Sequence, residues 1–549
     1  MNTEPLLDAV AGLPTYRPVQ VEKAAPCQAD CASGSDVRGW IGVISQRHHN
    51  GLTTDQAYTE AWRILTDANP FPGVLGRICP HPCEAGCNRG EKDGAVAINA
   101  LERFLGDWAI ERGLTFEPLS PDRHPESIGV IGAGPSGLSF AYQMARRGYP
   151  VTIYEKNPLP GGMLRYGVPD YRLPPEVLDS EVKRVFDLGV VFRPGVAVGV
   201  DVELDDLRAA HDVLYLGIGA QSGRLLGLPG EEGLGAFTGI EYLGRVNRNE
   251  AVDVGKHVVV IGGGNTAIDA ARVARRTGAE VTILYRRTRA EMPAVASEID
   301  DAQEEGVTIE FLVAPTGVVR REGVVQQVVV QRMRLGEPES DGRRRPVPIP
   351  DSRFTIDAAT IIAAVSQEPE RDLLKKAGIA DPPPATRAPE ELSPAMWGGG
   401  DVLGLDLAGA AISQGRRAAS AVHARLRGVP DEPTDRRRRI ASDEVTLDHK
   451  DPAAAAVGRH RTAVESLADP QLEVVGTLTE AHFLAEIERC YSCGQCMGCA
   501  SCWMYCTVGS FIAIGGSSPG EYFEMVLDAC EECGKCVEVC PAGYLEAIF

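Results

Sequence analysis

The 402 residues from Asn88 to Arg489 contain no cysteine, which excludes a dithiol relay from the middle of this chain. No apolar run approaches the length of a membrane-spanning helix. The opening Met1 to Val10 carries Glu4 and Asp8 and lacks the basic start and apolar block of a secretory leader, so the expected compartment is the cytoplasm. Positive charge is scarce: 55 Lys and Arg against 76 Asp and Glu give a net charge of −21, which argues against nonspecific nucleic-acid binding. A disulfide framework is not expected, because the cysteine count is odd and the thiols cluster in ligand-like motifs, which points to a reducing compartment.

All 15 cysteines lie near the two ends of the 549 residues. Cys496, Cys499, Cys502 and Cys506 form C-x2-C-x2-C-x3-C, and Cys530, Cys533, Cys536 and Cys540 repeat it, followed by Pro541. Three closely spaced thiolates wrap one face of a cubane, and the fourth of each run reaches the neighbouring cluster. The expected ligand sets are Cys496, Cys499, Cys502 and Cys540 for one four-iron cluster, and Cys530, Cys533, Cys536 and Cys506 for the other. Zinc also takes paired C-x2-C, but four cysteines in one tight run suit it less. Cys490 and Cys493 are surplus to this count and are expected to pack beside a cluster.

Two dinucleotide-binding fingerprints occupy the cysteine-free middle. After Ser127, IGVIGAGPSG reads as strand, turn and helix, with Gly132, Gly134 and Gly137 making G-x-G-x-x-G. The first glycine permits the turn, the second admits a pyrophosphate and the third lets helix pack on strand. The next strand, VTIYEK, ends in Glu155, which suits ribose hydroxyls and would repel a 2′-phosphate. From His257 the unit recurs with Gly262, Gly264 and Ala267, and with Asn265 opening the helix. Its second strand ends in Arg286 and Arg287, with Arg289 close behind, and guanidinium forks there match a 2′-phosphate. FAD in the first site and NADP, with NAD as the alternative, in the second is the resulting expectation. Gly161 and Gly162 in LPGGMLRYG let backbone lie close to a flat ring, and Gly400 and Asp401 in WGGGDV mark a return to the flavin.

In order along the chain, GRICPHPCEAGC, VIGAGPSGL, GGGNTAIDAARVARR, YRRTRAEMPA and GGGDV resemble the small subunit of glutamate synthase over about residues 21–427. Relatives of that family include the iron–sulfur flavoprotein end of dihydropyrimidine dehydrogenase and the large subunit of NADH-dependent ferredoxin:NADP oxidoreductases. The resemblance implies FAD in the first Rossmann domain, NAD(P)H in an inserted second one, and hydride passing between them. It also implies two four-iron clusters in the amino-terminal region, where this chain has only Cys27, Cys31, Cys79, Cys83 and Cys87. The upstream C-x2-C of the family is replaced by TYRPVQVEKAA, so one cluster is expected to be lost. By the resemblance, the cluster nearer the flavin maps onto Cys31, Cys79, Cys83 and the carboxylate of Glu102. Without it, Glu102 reads as an ion-pair partner of an arginine on a helix whose stripe is Ile98, Leu101, Leu105 and Trp108. Cys27 and Cys87 become leftovers of the missing cluster, or substitutes for Glu102. Between the cysteine groups, Thr53 and Gln56 form a capping box for a helix stopped at Pro70.

The expected class is α/β. It comprises a helical iron–sulfur domain (1–125), an FAD-binding domain in two parts (126–250 and 386–428) holding an inserted NAD(P)-binding domain (251–385), a linker or surface wrap (429–475), and a ferredoxin-like domain (476–549). The basic run Arg436 to Arg439 reads as a solvated stretch or salt-bridge strap. The ferredoxin-like module departs from the glutamate synthase small subunit. It resembles modules in the partner of dissimilatory sulfite reductase and in reductase subunits of 2-oxoacid oxidoreductases. The expected function is an oxidoreductase subunit moving electrons between NAD(P)H and a separate redox-enzyme subunit through FAD and three four-iron clusters, within a hetero-oligomer. The alternatives are a glutamate synthase-like role, flavin-based bifurcation between ferredoxin and NADP, and a non-catalytic electron-transfer scaffold. No catalytic proton donor is expected, because hydride transfer requires stacking and exclusion of water rather than an acid or base.

Overall fold

In a computed structural model, the apolar run Ile128–Ile131 is buried along its whole length because parallel strands flank it on both sides. The structure describes residues 16–340, 342–376, 378, 379, 390–432, 435, 437–515 and 519–548. The amino-terminal segment Met1 to Val10 and Arg436 of the basic run lie outside the described residues. The chain divides into two compact units, and no helix among the described residues is long and apolar enough to cross a membrane.

One unit contains Leu114–Asp431 and Arg459–Gly476. Its first sheet runs in the order Glu390–Ser393, Met396–Gly398, Val213–Leu216, Ile128–Ile131, Val151–Glu155, Val191–Pro194. Strand Met396–Gly398, after the second nucleotide unit in sequence, pairs in parallel with Val213–Leu216 and completes the first sheet. Helix Ala408–Arg427 then packs against Pro135–Arg146, and the approach is close: a Cβ on Gly415 would lie 2.3 Å from the Ser136 carbonyl. The second sheet is parallel throughout, in the order Thr308–Phe311, Glu280–Tyr285, His257–Ile261, Thr360–Ala363, Ala236–Thr238. Its central strands His257–Ile261 and Thr360–Ala363 are apolar and buried, because helices pack on one face and the antiparallel strands on the other. An antiparallel sheet of Val313–Arg321, Val324–Pro338 and Arg344–Asp357 is added to it.

The other unit gathers Met1–Gly113, Glu432–Gly458 and Thr477–Phe549. Strand Arg17–Gln20 pairs antiparallel with Leu545–Ile548, so both chain ends share one sheet. Lys23, 2% exposed, fastens the pairing: its Nζ lies 2.8 Å from Glu546 and donates to the Gly543 carbonyl at 2.5 Å. The segment read as linker or surface wrap is divided between the units, 432–458 in this one and 459–476 in the other. Ile440 is fully buried, Arg438 pairs with Glu444 and Glu546, and Arg439 with Asp30, so the basic run acts as a strap.

Helix Thr54–Ala68 carries the capping box of Thr53 and Gln56 and ends at Asn69. Helix Ile98–Glu111 buries Ile98, Leu101 and Leu105 and meets Pro72–Ile78 with glycine facing backbone. A Cβ on Gly106 would lie 2.3 Å from the Gly73 nitrogen, and one on Gly76 would lie 2.4 Å from Arg103 backbone. This contact sets Cys79, at the end of one helix, beside Glu102 on the other. Gly106→Ala is expected to overpack that contact and destabilise this unit by about 3 kcal/mol, measured as a fall in the denaturant midpoint of iron release.

Candidate functional site

The first fingerprint turn is fixed by close backbone approaches. Gly132 has φ +98, and a Cβ on Gly137 would lie 2.1 Å from the Gly132 carbonyl, so helix and strand meet there only through glycine. At Gly134 the space is open: a Cβ would meet nothing nearer than 3.9 Å. The Gly161 nitrogen donates to the Ala133 carbonyl at 2.8 Å, which folds the Pro160–Gly162 loop over the turn, and a Cβ on Gly162 would lie 2.7 Å from the Gly134 Cα. Glu155, 4% exposed, accepts from the Ala133 nitrogen at 2.8 Å and from the Asn157 nitrogen at 2.9 Å, which orients its carboxylate at the strand end. Gly400 donates to Gln414 Oε1 at 2.5 Å, and the neighbouring Asp401 carboxyl is pushed up to about 6 by burial. Sequence reasoning missed Ser136, whose hydroxyl lies 2.6 Å from that of Tyr215 beneath the returning glycine run.

The second fingerprint opens on a cleft of about 630 Å³. Gly262, Gly264 and Thr266 line it at the helix start, and Tyr285, Arg286 and Arg287 at the strand end. Arg287 has an internal commitment that its place in the sequence does not show. It is 2% exposed, donates to the Arg344 carbonyl at 2.7 Å and pairs with Glu339 at 2.6 Å, joining the parallel sheet to the antiparallel one. Arg289 pairs with Asp300. Asn265 Oδ1 accepts from the Val295 nitrogen at 2.9 Å, so that side chain orders the loop after the arginines. Arg286 is exposed at the rim, and Arg224 and Arg343 line the same cleft from the crossover and the added sheet. Neither belongs to a short motif, so only three-dimensional placement reveals them.

Three cavities in the cysteine-bearing unit collect the candidate cluster ligands. Cys31, Cys79, Cys83 and Glu102 line one. Glu102 accepts from Asn69 Nδ2 at 2.7 Å, and after burial its charge is the next influence raising the Cys31 and Cys79 thiols, the latter to about 12. Cys496, Cys499, Cys502 and Cys540 line a second. Burial pushes Cys496 up to about 11 and Cys502 to about 12. Cys506, Cys530, Cys533 and Cys536 line a third. The fourth cysteine of each carboxy-terminal run therefore lies with the first three of the other. Burial raises Cys506 too, but the Ser510 nitrogen, 3.2 Å from its sulfur, and neighbouring amides hold the thiol below its ordinary value.

Among the described residues, no three His, Cys, Asp or Glu side chains gather at single-ion distance. The thiols line volumes instead, whereas zinc draws its sulfur ligands to about 2.3 Å. A buried thiol whose ionisation is opposed by burial needs a cation to become a ligand. Cys27, Cys87, Cys490 and Cys493 line none of these three cavities, but lie together elsewhere in the same unit.

Residues 126–415 match the family model described as pyridine nucleotide-disulphide oxidoreductase, and residues 15–114 match that of dihydropyrimidine dehydrogenase domain II, 4Fe-4S cluster. The chain is 39% identical over 456 residues to the NADP(+)-dependent formate dehydrogenase subunit beta of Moorella thermoacetica, covering 77% of this chain and 62% of that protein. It is 40% identical over 355 residues to the NADPH-Fe(3+) oxidoreductase subunit beta of Geobacter sulfurreducens, covering 63% and 51%. Against the glutamate synthase (NADPH) small chain of Azospirillum brasilense the identity is 34% over 444 residues, covering 74% and 87%. The chain thus spans between half and two thirds of the length of the first two relatives.

The raised Asp401 carboxyl has a stability consequence. A folded value of about 6, above the ordinary carboxylate value near ~4, means that the flavin-free protein favours the protonated acid and loses stability as pH rises from about 4 to about 6. Asp401→Asn is expected to match the wild type near pH 4 and to exceed it above pH 6, read from thermal unfolding of flavin-free protein across that range.

Proposed function

The chain belongs to the pyridine nucleotide-disulphide oxidoreductase family, on the branch of the glutamate synthase small chains, and we propose that it is the electron-transfer subunit of an NADPH-dependent oxidoreductase. It exchanges electrons between NADPH and a separate redox-protein partner, in a hetero-oligomer in the reducing cytoplasm. The observation that carries this reading is the contrast between two otherwise similar nucleotide sites: the first strand end presents a buried acid, and the second opens on a cleft lined by arginines.

Glu155 accepts ribose hydroxyls at the first site, while the open space over Gly134 admits a pyrophosphate to the start of helix Pro135–Arg146. Gly162, Gly400 and Asp401 border the remainder of that site. At the second site, Gly262 and Gly264 receive the pyrophosphate, Arg286 and Arg224 hold the 2′-phosphate, and Arg287 stiffens the strand end that carries Arg286. In the other unit, Cys31, Cys79, Cys83 and Glu102 hold one four-iron cluster. The two crossed sets, Cys496, Cys499, Cys502, Cys540 and Cys530, Cys533, Cys536, Cys506, hold two more. When bound, FAD supplies conversion between a hydride pair and single electrons, and the clusters supply single-electron conduction. The names of two relatives, a formate dehydrogenase subunit and an NADPH-Fe(3+) oxidoreductase subunit, support a partner that carries its own substrate site.

Under anaerobic conditions, NADPH is expected to bleach the flavin absorbance of the purified chain; a protein without yellow chromophore, or one that NADPH leaves oxidised, would sink the proposal. Arg286→Ala is expected to raise the KM for NADPH about tenfold or more, the loss of one charge-assisted hydrogen bond, and to leave that for NADH unchanged. Arg287→Ala instead lowers thermal stability, because Glu339 loses its buried partner.

A further inference from the structure

Cys27, Cys87, Cys490 and Cys493 come from three separate stretches of one unit, and backbone hydrogen bonds bring those stretches together. The Lys23 nitrogen donates to the Gly494 carbonyl at 3.0 Å. Arg38, 3% exposed, bridges the same two segments: its Nη1 donates to the Lys23 carbonyl at 2.6 Å and to the Cys493 carbonyl at 3.0 Å. The short helix Pro26–Ala29, which carries Cys27, packs on Pro82–Ala85, just before Cys87. Arg89 then donates to the carbonyl of Arg489, next to Cys490, at 2.6 Å. The thiols themselves converge. Burial is the first influence raising Cys27, and Cys490, Cys493 and Cys87 follow in that order. Cys87 likewise acts on both Cys490 and Cys493.

Backbone conformation independently points to a cluster. In the carboxy-terminal runs, the residues on either side of the second cysteine take positive φ: Gly498 (+73) and Ala500 (+61) around Cys499, Glu532 (+56) and Gly534 (+70) around Cys533. Ser492 (+52) and Gly494 (+76) do the same around Cys493. A non-glycine residue in this region costs roughly 1–2 kcal/mol, and Ser492 bears that cost to reproduce the turn found around the second cysteine of both carboxy-terminal runs. The Ser492 nitrogen also lies 3.4 Å from the Cys490 sulfur, matching the His81 nitrogen at 3.4 Å from the Cys79 sulfur.

The surroundings suit an anionic centre. Asn88, 7% exposed, has a buried amide nitrogen with no hydrogen-bond partner, and its side chain stands beside Cys493. Lys450 donates to the Cys490 carbonyl at 2.7 Å and Arg38 to the Cys493 carbonyl at 3.0 Å, so two cations stand beside these thiols.

We propose that Cys27, Cys87, Cys490 and Cys493 bind a fourth four-iron cluster, drawing two ligands from each end of the chain. This replaces the expectation that one cluster was lost: the C-x2-C absent before Cys27 is supplied from the carboxy-terminal segment. The new centre also connects the others. Cys27 is four residues from Cys31 and Cys87 four from Cys83, while Cys493 is three from Cys496, so these ligand Cα atoms are at most about 11–14 Å apart. The fourth cluster thereby links the Glu102 site to the crossed pair. The inference rests on the reading of this unit as an iron–sulfur unit.

The test is metal analysis of the anaerobically purified full chain, with iron, acid-labile sulfide, zinc and flavin measured together. Wild type is expected to hold about sixteen irons, and a Cys490→Ser/Cys493→Ser variant about twelve, at unchanged flavin content. Cys27→Ser, at the opposite end of the chain, should lose the same four. About twelve irons in the wild type, alone or with one zinc, would overturn the fourth cluster while leaving the other three, and so would variants that retain sixteen. The wild-type count decides the matter even if the variants fail to fold. Iron near zero would sink the reading of the whole unit instead.

Discussion

The pairing of the two chain ends is the constraint on which the cysteine-bearing unit depends. Among the described residues, strand Arg17–Gln20 has no other neighbour in its sheet than Leu545–Ile548, and the ammonium of Lys23 is tied to Glu546 and the Gly543 carbonyl. A buried ammonium is tolerated only with such partners. The same lysine's backbone holds Gly494, so one residue fixes the registration of the first cysteines against the last ones. Cysteines far apart in sequence thus become members of common sites.

The nucleotide-binding unit solves a different problem with one repeated local design. Both sheets end in a glycine turn facing a helix start, which favours a pyrophosphate in either place. Discrimination is left to the strand that follows. Glu155 is buried and fixed by backbone amides, whereas Arg286 stands free at an open rim.

Local signals were the legible ones. Both fingerprints, the Thr53 capping box, the stripe on helix Ile98–Glu111 and the crossed ferredoxin-type runs all rest on spacing within a few residues, where backbone geometry leaves little freedom. The antiparallel sheet Val313–Asp357 was not legible as an addition to the second nucleotide domain, since strand pairing across long hairpins is decided by tertiary context. Arg287 shows the same limit at a single position: its place suggested phosphate binding, but Glu339 and the Arg344 carbonyl lie 52 and 57 residues away. Cys27, Cys87, Cys490 and Cys493 are the extreme case. Their grouping depends on contacts between opposite ends of the chain, which no window of sequence contains, although the unexplained C-x2-C at Cys490 was a visible clue.

The strand shared by the termini also governs how such a molecule is made. Translation at ~5–20 residues per second leaves Arg17–Gln20 without its partner for roughly half a minute to two minutes after it emerges from the ribosome. During that interval the nascent amino-terminal segment carries an open strand edge and unligated thiols, both hazards for aggregation and oxidation. That strand pair therefore closes only after synthesis has passed Leu545–Ile548.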